Sequence, residues 1–264
     1  MVADPAITEE CDMENREDIL YIIIPAYNEE ENILRIIEGW YPVIEAHSGG
    51  GASRLVIIDD GSTDNTMELL TECACARPYL TVLTKENQGH GASVLYGYRY
   101  AIEKNADYVF QTDADGQTLP SEFEAFWQER AKYDLVIGWR KDRQDGRARI
   151  FVTDTLRYVI RKSFGVEVAD ANTPYRLMES SVLKEVLKLV PENYFLSNVI
   201  LTVIYTKQNR RILYIPITFR PRQGGTNSIN MKKIFRIGRK ALKEFREINR
   251  AIEAEQPASP GGDH

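Results

Sequence analysis

Apolar, β-branched runs alternate with segments of helical spacing through the first half of the chain, and this alternation leaves few folds open. Ile19–Pro25 reads ILYIIIP, a buried strand, and Leu55–Ile58, Leu80–Leu83, Tyr108–Thr112 and Leu135–Gly138 repeat the pattern. Between them, Asn28–Ala46 sets Ile33, Ile36, Ile37, Trp40, Val43 and Ile44 at helical spacing. Gly89–Lys104 follows a glycine-rich turn, and Leu119–Lys132 carries Pro120 early, where a helix tolerates it. Ser62 or Thr63 is placed to cap the helix after the second strand. The alternation predicts an α/β fold: a doubly wound, mostly parallel sheet with helices on both faces. Ligands of such sheets bind outside the carboxyl ends of the strands.

The second half is less regular. Arg147–Phe164, Ser181–Val190 and Leu196–Thr206 read as helices, and Asp170–Arg176 as a loop. Ile212–Phe219 reads as a strand, and Pro216 inside it predicts a sheet edge. Arg220–Asn230 is a polar loop with glycines. Residues 231–252 read as a basic amphipathic helix, with Ile234, Phe235, Ile237, Ala241, Leu242, Phe245 and Ile248 on its apolar stripe. The acidic residues 1–18 and the polar residues 253–264 are expected to be flexible tails.

Composition narrows the function classes. With 43% hydrophobic and 27% charged residues among 264, the chain reads as a globular protein, and a net charge of -6 excludes a general nucleic-acid binder. Cys11, Cys73 and Cys75 do not make a disulfide framework or a zinc knuckle, and are expected to be free thiols. Residues 1–18 lack the basic and apolar regions of a leader, and no stretch approaches the ~20 apolar residues of a membrane span. A cytoplasmic protein is expected, with a peripheral contact at the inner face of an anionic membrane left open by the basic helix.

The chemistry lies in polar clusters at the strand ends. Asp113-Ala114-Asp115-Gly116-Gln117 puts two carboxylates around one small residue just past a strand. Hard cations such as Mg²⁺ and Mn²⁺ take oxygen ligands and share their shell with phosphates, so a metal there can stabilise a diphosphate as leaving group. Pro25-Ala26-Tyr27-Asn28-Glu29 follows the first strand, Asp59-Asp60-Gly61-Ser62-Thr63-Asp64 the second, and Asn87-Gln88-Gly89-His90-Gly91 the third. Read alone, Asp64 is a helix cap and His90 a structural histidine.

In this order, these motifs resemble the family-two glycosyltransferases of the GT-A fold, above all the polyprenyl-phosphate sugar synthases of the dolichyl-phosphate mannose synthase type. The resemblance runs from about Ile19 to Ser228. It implies a glycosyltransferase domain over residues 19–230, with a nucleotide-binding half (19–140) and an acceptor half (141–230). It implies that Pro25, Tyr27, Glu29, Ile58 and Asp60, or Asp59 in its place, line the nucleotide pocket, with Tyr27 stacking on the base. Asp113 would face the nucleoside, and Asp115 and Gln117, with Asp113, would hold Mg²⁺ or Mn²⁺. Arg140, Arg149 and Arg222 would meet phosphates of donor or acceptor, with Arg176 in a neighbouring loop.

Transfer to a hydroxyl calls for a general base. In the resembled family many members carry an acid at the place this chain fills with Tyr194-Phe195-Leu196-Ser197-Asn198. The missing acid and the added arginines favour a polyprenyl phosphate as acceptor of a hexose from a UDP- or GDP-linked donor, with inversion. Two other readings stand beside it: a saccharide hydroxyl acceptor, with Asp154 or Asp170 as base, and a nucleotide-sugar-binding module without catalysis.

Overall fold

A computed structural model of the chain describes residues 17–140, 147–221 and 244–254, without the side chains of residues 147–154. In chain order the elements are β1 (Leu20–Ala26), α1 (Ile33–Ala46), β2 (Arg54–Asp59), α2 (Thr66–Cys75), β3 (Leu80–Thr84), α3 (His90–Glu103) and β4 (Tyr108–Gln111). There follow α4 (Phe123–Trp127), β5 (Leu135–Arg140), α5 (Arg147–Phe164), β6 (Arg176–Glu179), α6 (Ser180–Leu187), α7 (Ser197–Lys207) and β7 (Ile212–Ile217). Residues 244–254 are also helical.

The strands form one sheet in the order β3-β2-β1-β4-β6-β5-β7. All neighbours pair in parallel except β6, which runs antiparallel to both β4 and β5. The expected α/β fold with a mostly parallel sheet is therefore present. β6 departs from the sequence reading, which ended a loop at Arg176. β7 takes an edge, as Pro216 predicted.

Alternation along the strands divides the core. Tyr21, Ile23, Val56, Ile58, Val109 and Ile137 face α3, α5, α6 and α7, and Phe245, Ile248 and Ile252 join that layer. Leu20, Ile22, Ile24, Leu55, Ile57, Phe110 and Val136 face α1 and α4. The apolar positions of 244–254 thus pack on the domain, with Phe245 at 5.0 Å from Phe164 between ring centroids. For Phe245 and Ile248 this settles the stripe as core packing, while residues 231–243 lie outside the described residues. No described helix is long and apolar enough to cross a membrane. Cys73 and Cys75 are free thiols.

The second core is unusually aromatic beneath β4. Phe110 meets Tyr175 at 4.7 Å and Phe123 at 5.0 Å between centroids, both edge-on, and Trp40 packs at 5.3 Å. The Tyr175 hydroxyl donates to the Leu119 carbonyl at 2.9 Å. The expected helix at 119–132 is shorter at both ends: Pro120–Glu122 forms a 3₁₀ turn before α4, and residues 128–132 are turns after it.

Gly91, in the first turn of α3, packs directly against the backbone of the chain before α7. A Cβ there would lie 2.4 Å from the Tyr194 carbonyl oxygen and 2.6 Å from that of Phe195. Both obstacles are backbone, so neither can rotate away. Gly91→Ala should destabilise the protein by about 1–3 kcal/mol, read as a lower urea midpoint at unchanged slope.

Candidate functional site

The parallel strands bring their carboxyl ends together, and the cleft lies there. Ala26 pairs with Asp59 across β1 and β2, and Ile23 with Gln111 across β1 and β4. Pro25, Ala26, Tyr27, Glu29, Asp60, Asn87, Gly89, His90, Ser93, Asp113, Ala114 and Asp115 line an open cavity of about 300 Å³. Segments distant in sequence thus converge in one place, as the strand-end reading predicted.

Asn28 takes a left-handed conformation (φ 53°) and knits the loop after β1 to the loop after β2. Its side-chain oxygen accepts from Thr63 N at 2.8 Å, and its N–H donates to Ser62 Oγ at 3.0 Å. Ser62 and Thr63 are spent on this bridge, so neither caps α2, whose cap residue is Asn65. Asp64 accepts from Thr66 N at 3.0 Å and Glu30 N at 3.2 Å, a local brace rather than a ligand contact. Glu29 is buried, with Oε2 accepting from Asn32 at 2.7 Å. Tyr27 is 47% exposed, so its ring is presented to the cleft.

Asp60 is the organising carboxylate. One oxygen accepts from Lys85 Nζ at 2.5 Å and Gln88 N at 3.0 Å, and the other from Gly89 N at 2.8 Å. Burial pushes its carboxyl up, but the hydrogen bonds from Lys85, Gln88 and Ser93 prevail and hold it below the usual carboxylate range. Asp60 therefore fixes the turn into α3 while lining the cleft. Asp59 is turned away, accepting from Thr84 Oγ1 at 3.1 Å and Ser62 N at 3.3 Å. Ile58 has no exposed surface and packs under Gly97, so its side chain belongs to the core and not to the pocket. Lys85 escaped the sequence reading: a lone lysine after a strand has no signature until its partner is seen.

Asp113 and Asp115 both line the cleft, with Ala114 buried between them. Asp113 Oδ1 lies 2.9 Å from His90 Nε2. Burial raises the Asp113 carboxyl, and the His90 charge outweighs it, leaving the group below its ordinary value. His90 is raised in turn, because the Asp113 charge overcomes the lowering effect of its crowded setting. Asp115 Oδ1 accepts from Gln117 N at 3.1 Å across Gly116, whose φ of 69° permits the turn. No group of three or more His, Cys, Asp or Glu able to hold a metal occurs among the described residues. Two carboxylate-bearing residues at an open cleft fit a hard cation that draws its other oxygens from a bound diphosphate.

The expected arginines divide. The Arg140 side chain is largely covered and grips Asp170 through two 2.8 Å hydrogen bonds, with its guanidinium 4.9 Å from the centre of the Phe219 ring. Asp170 is thus committed to a salt bridge. Arg176 has no exposed surface, and its guanidinium donates to the carbonyls of Ala171, Thr173 and Asn198. It is a structural tie between the loop before β6 and the start of α7. The side chains of Arg149 and Asp154, and the whole of Arg222, lie outside the described residues. Gln117 donates from Nε2 to the Arg220 carbonyl at 2.8 Å.

The profile of Glycosyl transferase family 2 matches residues 21–187. The undecaprenyl-phosphate 4-deoxy-4-formamido-L-arabinose transferase of Pectobacterium carotovorum subsp. carotovorum (strain PC1) is 28% identical over 219 residues, covering 82% of this chain and 64% of that protein. The protein of the same name from Edwardsiella ictaluri (strain 93-146) is 26% identical over 220 residues, at 82% and 64%. The chain thus spans a little under two-thirds of these relatives. Among solved structures, glucosyl-3-phosphoglycerate synthase from Mycobacterium tuberculosis, in complex with Mn²⁺, uridine-diphosphate-glucose and glycerol 3-phosphate, superposes with a TM-score of 0.63 at 18% identity, covering 95% of this chain and 86% of that one. That likeness carries the fold. The family match takes in β1 to α6 with every strand-end cluster of the cleft, and the chain belongs to glycosyl transferase family 2.

Proposed function

We propose that the chain transfers a sugar from a nucleoside diphosphate to a polyprenyl phosphate, with inversion and with the help of Mg²⁺ or Mn²⁺. The observation that carries this reading is the convergence of Asp113 and Asp115 with Tyr27, Glu29 and Asp60 on one cleft at the carboxyl ends of parallel strands. Tyr27 offers an exposed face to a base, and Asp113 and Asp115 supply oxygens for a cation shared with the diphosphate. A cation bound there would offset the charge that builds on the departing diphosphate. An acceptor phosphate oxygen would bond to the anomeric carbon as the bond to the donor diphosphate breaks, and the nucleoside diphosphate would leave with that electron pair.

Support for the lipid acceptor comes from two sides. The curated relatives are named undecaprenyl-phosphate transferases. Asp170, one of the carboxylates weighed as a base for a hydroxyl acceptor, is held by Arg140. A phosphate needs no base, because it is already ionised near neutral pH. Arg149 and Arg222 are proposed to offset the repulsion between two phosphate groups, as guanidinium forks do well.

The test is a panel of UDP- and GDP-sugars with Mg²⁺ or Mn²⁺, with and without polyprenyl phosphate, scored for lipid-linked sugar and for released nucleotide. Lipid-linked product is expected. Transfer to a sugar hydroxyl but not to the lipid phosphate would reverse the acceptor assignment, and a silent panel would sink the enzymatic reading. Asp115→Ala should lower turnover roughly a hundredfold or more, since such electrostatic stabilisation is worth a few kcal/mol; wild-type turnover in metal-limited buffer would remove Asp115 from the metal's shell. Tyr27→Ala should weaken nucleoside diphosphate binding roughly tenfold through lost stacking, measured by calorimetry, and unchanged affinity would take the base off that ring.

A further inference from the structure

The segment leaving β7 is held at the cleft by a set of contacts that the family motifs do not explain. Thr218 N donates to both carboxylate oxygens of Glu122, at 2.9 and 3.2 Å. The Phe219 ring lies beside the Arg140 guanidinium, 4.9 Å from centroid to carbon. Arg220 N donates to the Gln117 carbonyl at 2.8 Å, and Gln117 Nε2 donates back to the Arg220 carbonyl at 2.8 Å. Consecutive residues are thus clasped by the turn before α4, the end of β5 and the Asp115-Gly116-Gln117 turn. Thr218 and Arg220 are exposed, so polar clips rather than burial fix this strap.

We propose that Gln117 is a positioning residue, whose amide nitrogen locks the strap to the carboxylate-bearing turn and fixes the point from which the chain runs on to Arg222. A carbonyl only accepts, so the amide nitrogen must be the end that faces Arg220. The oxygen of the same amide stays available to a second partner. Gly116 folds Gln117 N back onto Asp115 Oδ1 at 3.1 Å, so the side chain offered to a cation and the side chain gripping Arg220 belong to one tight turn. A shift of that turn moves both. Through Gln117, the donor side of the cleft sets the origin of a stretch rich in arginine and glycine. This use of the strap in transfer rests on the transferase reading above, whereas the clasp itself does not.

Gln117→Glu separates the alternatives, because it keeps an oxygen for a cation but loses the donor to Arg220. Gln117→Met removes both at similar size. Hydrogen exchange of residues 217–220 in ligand-free protein is the first measurement. Both variants should exchange there roughly fivefold faster, the equivalent of one hydrogen bond, with the strands β1 and β4 unchanged. In the second measurement, UDP binding with Mn²⁺ by Gln117→Glu should stay within about twofold of wild type by calorimetry, while turnover with polyprenyl phosphate falls roughly tenfold or more. Unchanged exchange in both variants would overturn the clasp. Faster exchange with wild-type turnover would overturn the positioning role. Unchanged exchange with a collapse of Mn²⁺-dependent binding would make Gln117 a cation ligand alone. If wild-type protein transfers nothing to any acceptor, the transferase reading fails, and the exchange result still decides the clasp.

Discussion

Parallel pairing of β1 with β2 on one side and β4 on the other is the constraint from which the rest follows. It makes these strands end at one edge, so the residues after each must share one volume of space. Nothing in Tyr27, Asp60 or Asp113 singly would make a cleft. The shared edge does, and the loops then have to be held against one another without a hydrophobic core of their own. Asn28 and Asp60 do this with polar contacts: Asn28 ties the first loop to the second, and Asp60 ties the second to the third through Lys85 and two backbone amides. A buried carboxylate with three donors is well satisfied, so the same residue can be both a strut and a wall of the pocket.

The other half of the site is framed by buried arginines. Arg140 and Asp170 face each other with paired hydrogen bonds away from water, where desolvation offsets much of the Coulombic gain. What such a pair contributes is geometry: it pins the end of β5 to the loop before β6. Arg176 works without a carboxylate among the partners of its guanidinium. Its fork collects the carbonyls of Ala171, Thr173 and Asn198 and so ties that loop to the start of α7. The planar, multi-donor head makes arginine suited to gathering scattered carbonyls.

Much of this was legible from residues alone, and the failures have physical causes. β1 and β2 are continuous apolar runs rich in β-branched residues, which is what a strand covered on both faces requires. β6 reads Arg-Leu-Met-Glu and has no such signal. It is a strand because β4 and β5 leave a gap that its backbone fills, a tertiary fact. The clusters at strand ends were found because topology and motif agree. Ile58 was drawn into the pocket by the nearby Asp60, but Ile58 is still within β2, where helices cover the sheet, whereas Asp60 lies past the strand's end at the cleft. Arg176 read as one of the site's cations, because a surface cation and a buried one are spelled alike. Lys85, and the contact of His90 with Asp113, depend on pairings across long stretches of chain that spacing does not encode.

The antiparallel β6 has a consequence for how the chain can be assembled as it is made. β3, β2, β1 and β4 find partners among themselves, so a four-stranded half-sheet can form before the later strands are made. β5 cannot join it. Its sheet partners are β6 and β7, which emerge some tens of residues later, and β4 keeps an open edge until β6 arrives. For that interval the nascent protein carries an uncovered strand edge and an apolar strand without neighbours, the combination most prone to pair with another chain. The short, mixed-polarity β6 covers the open edge of β4 and gives β5 its first neighbour at once, and the last edge of β5 is covered only when β7 arrives.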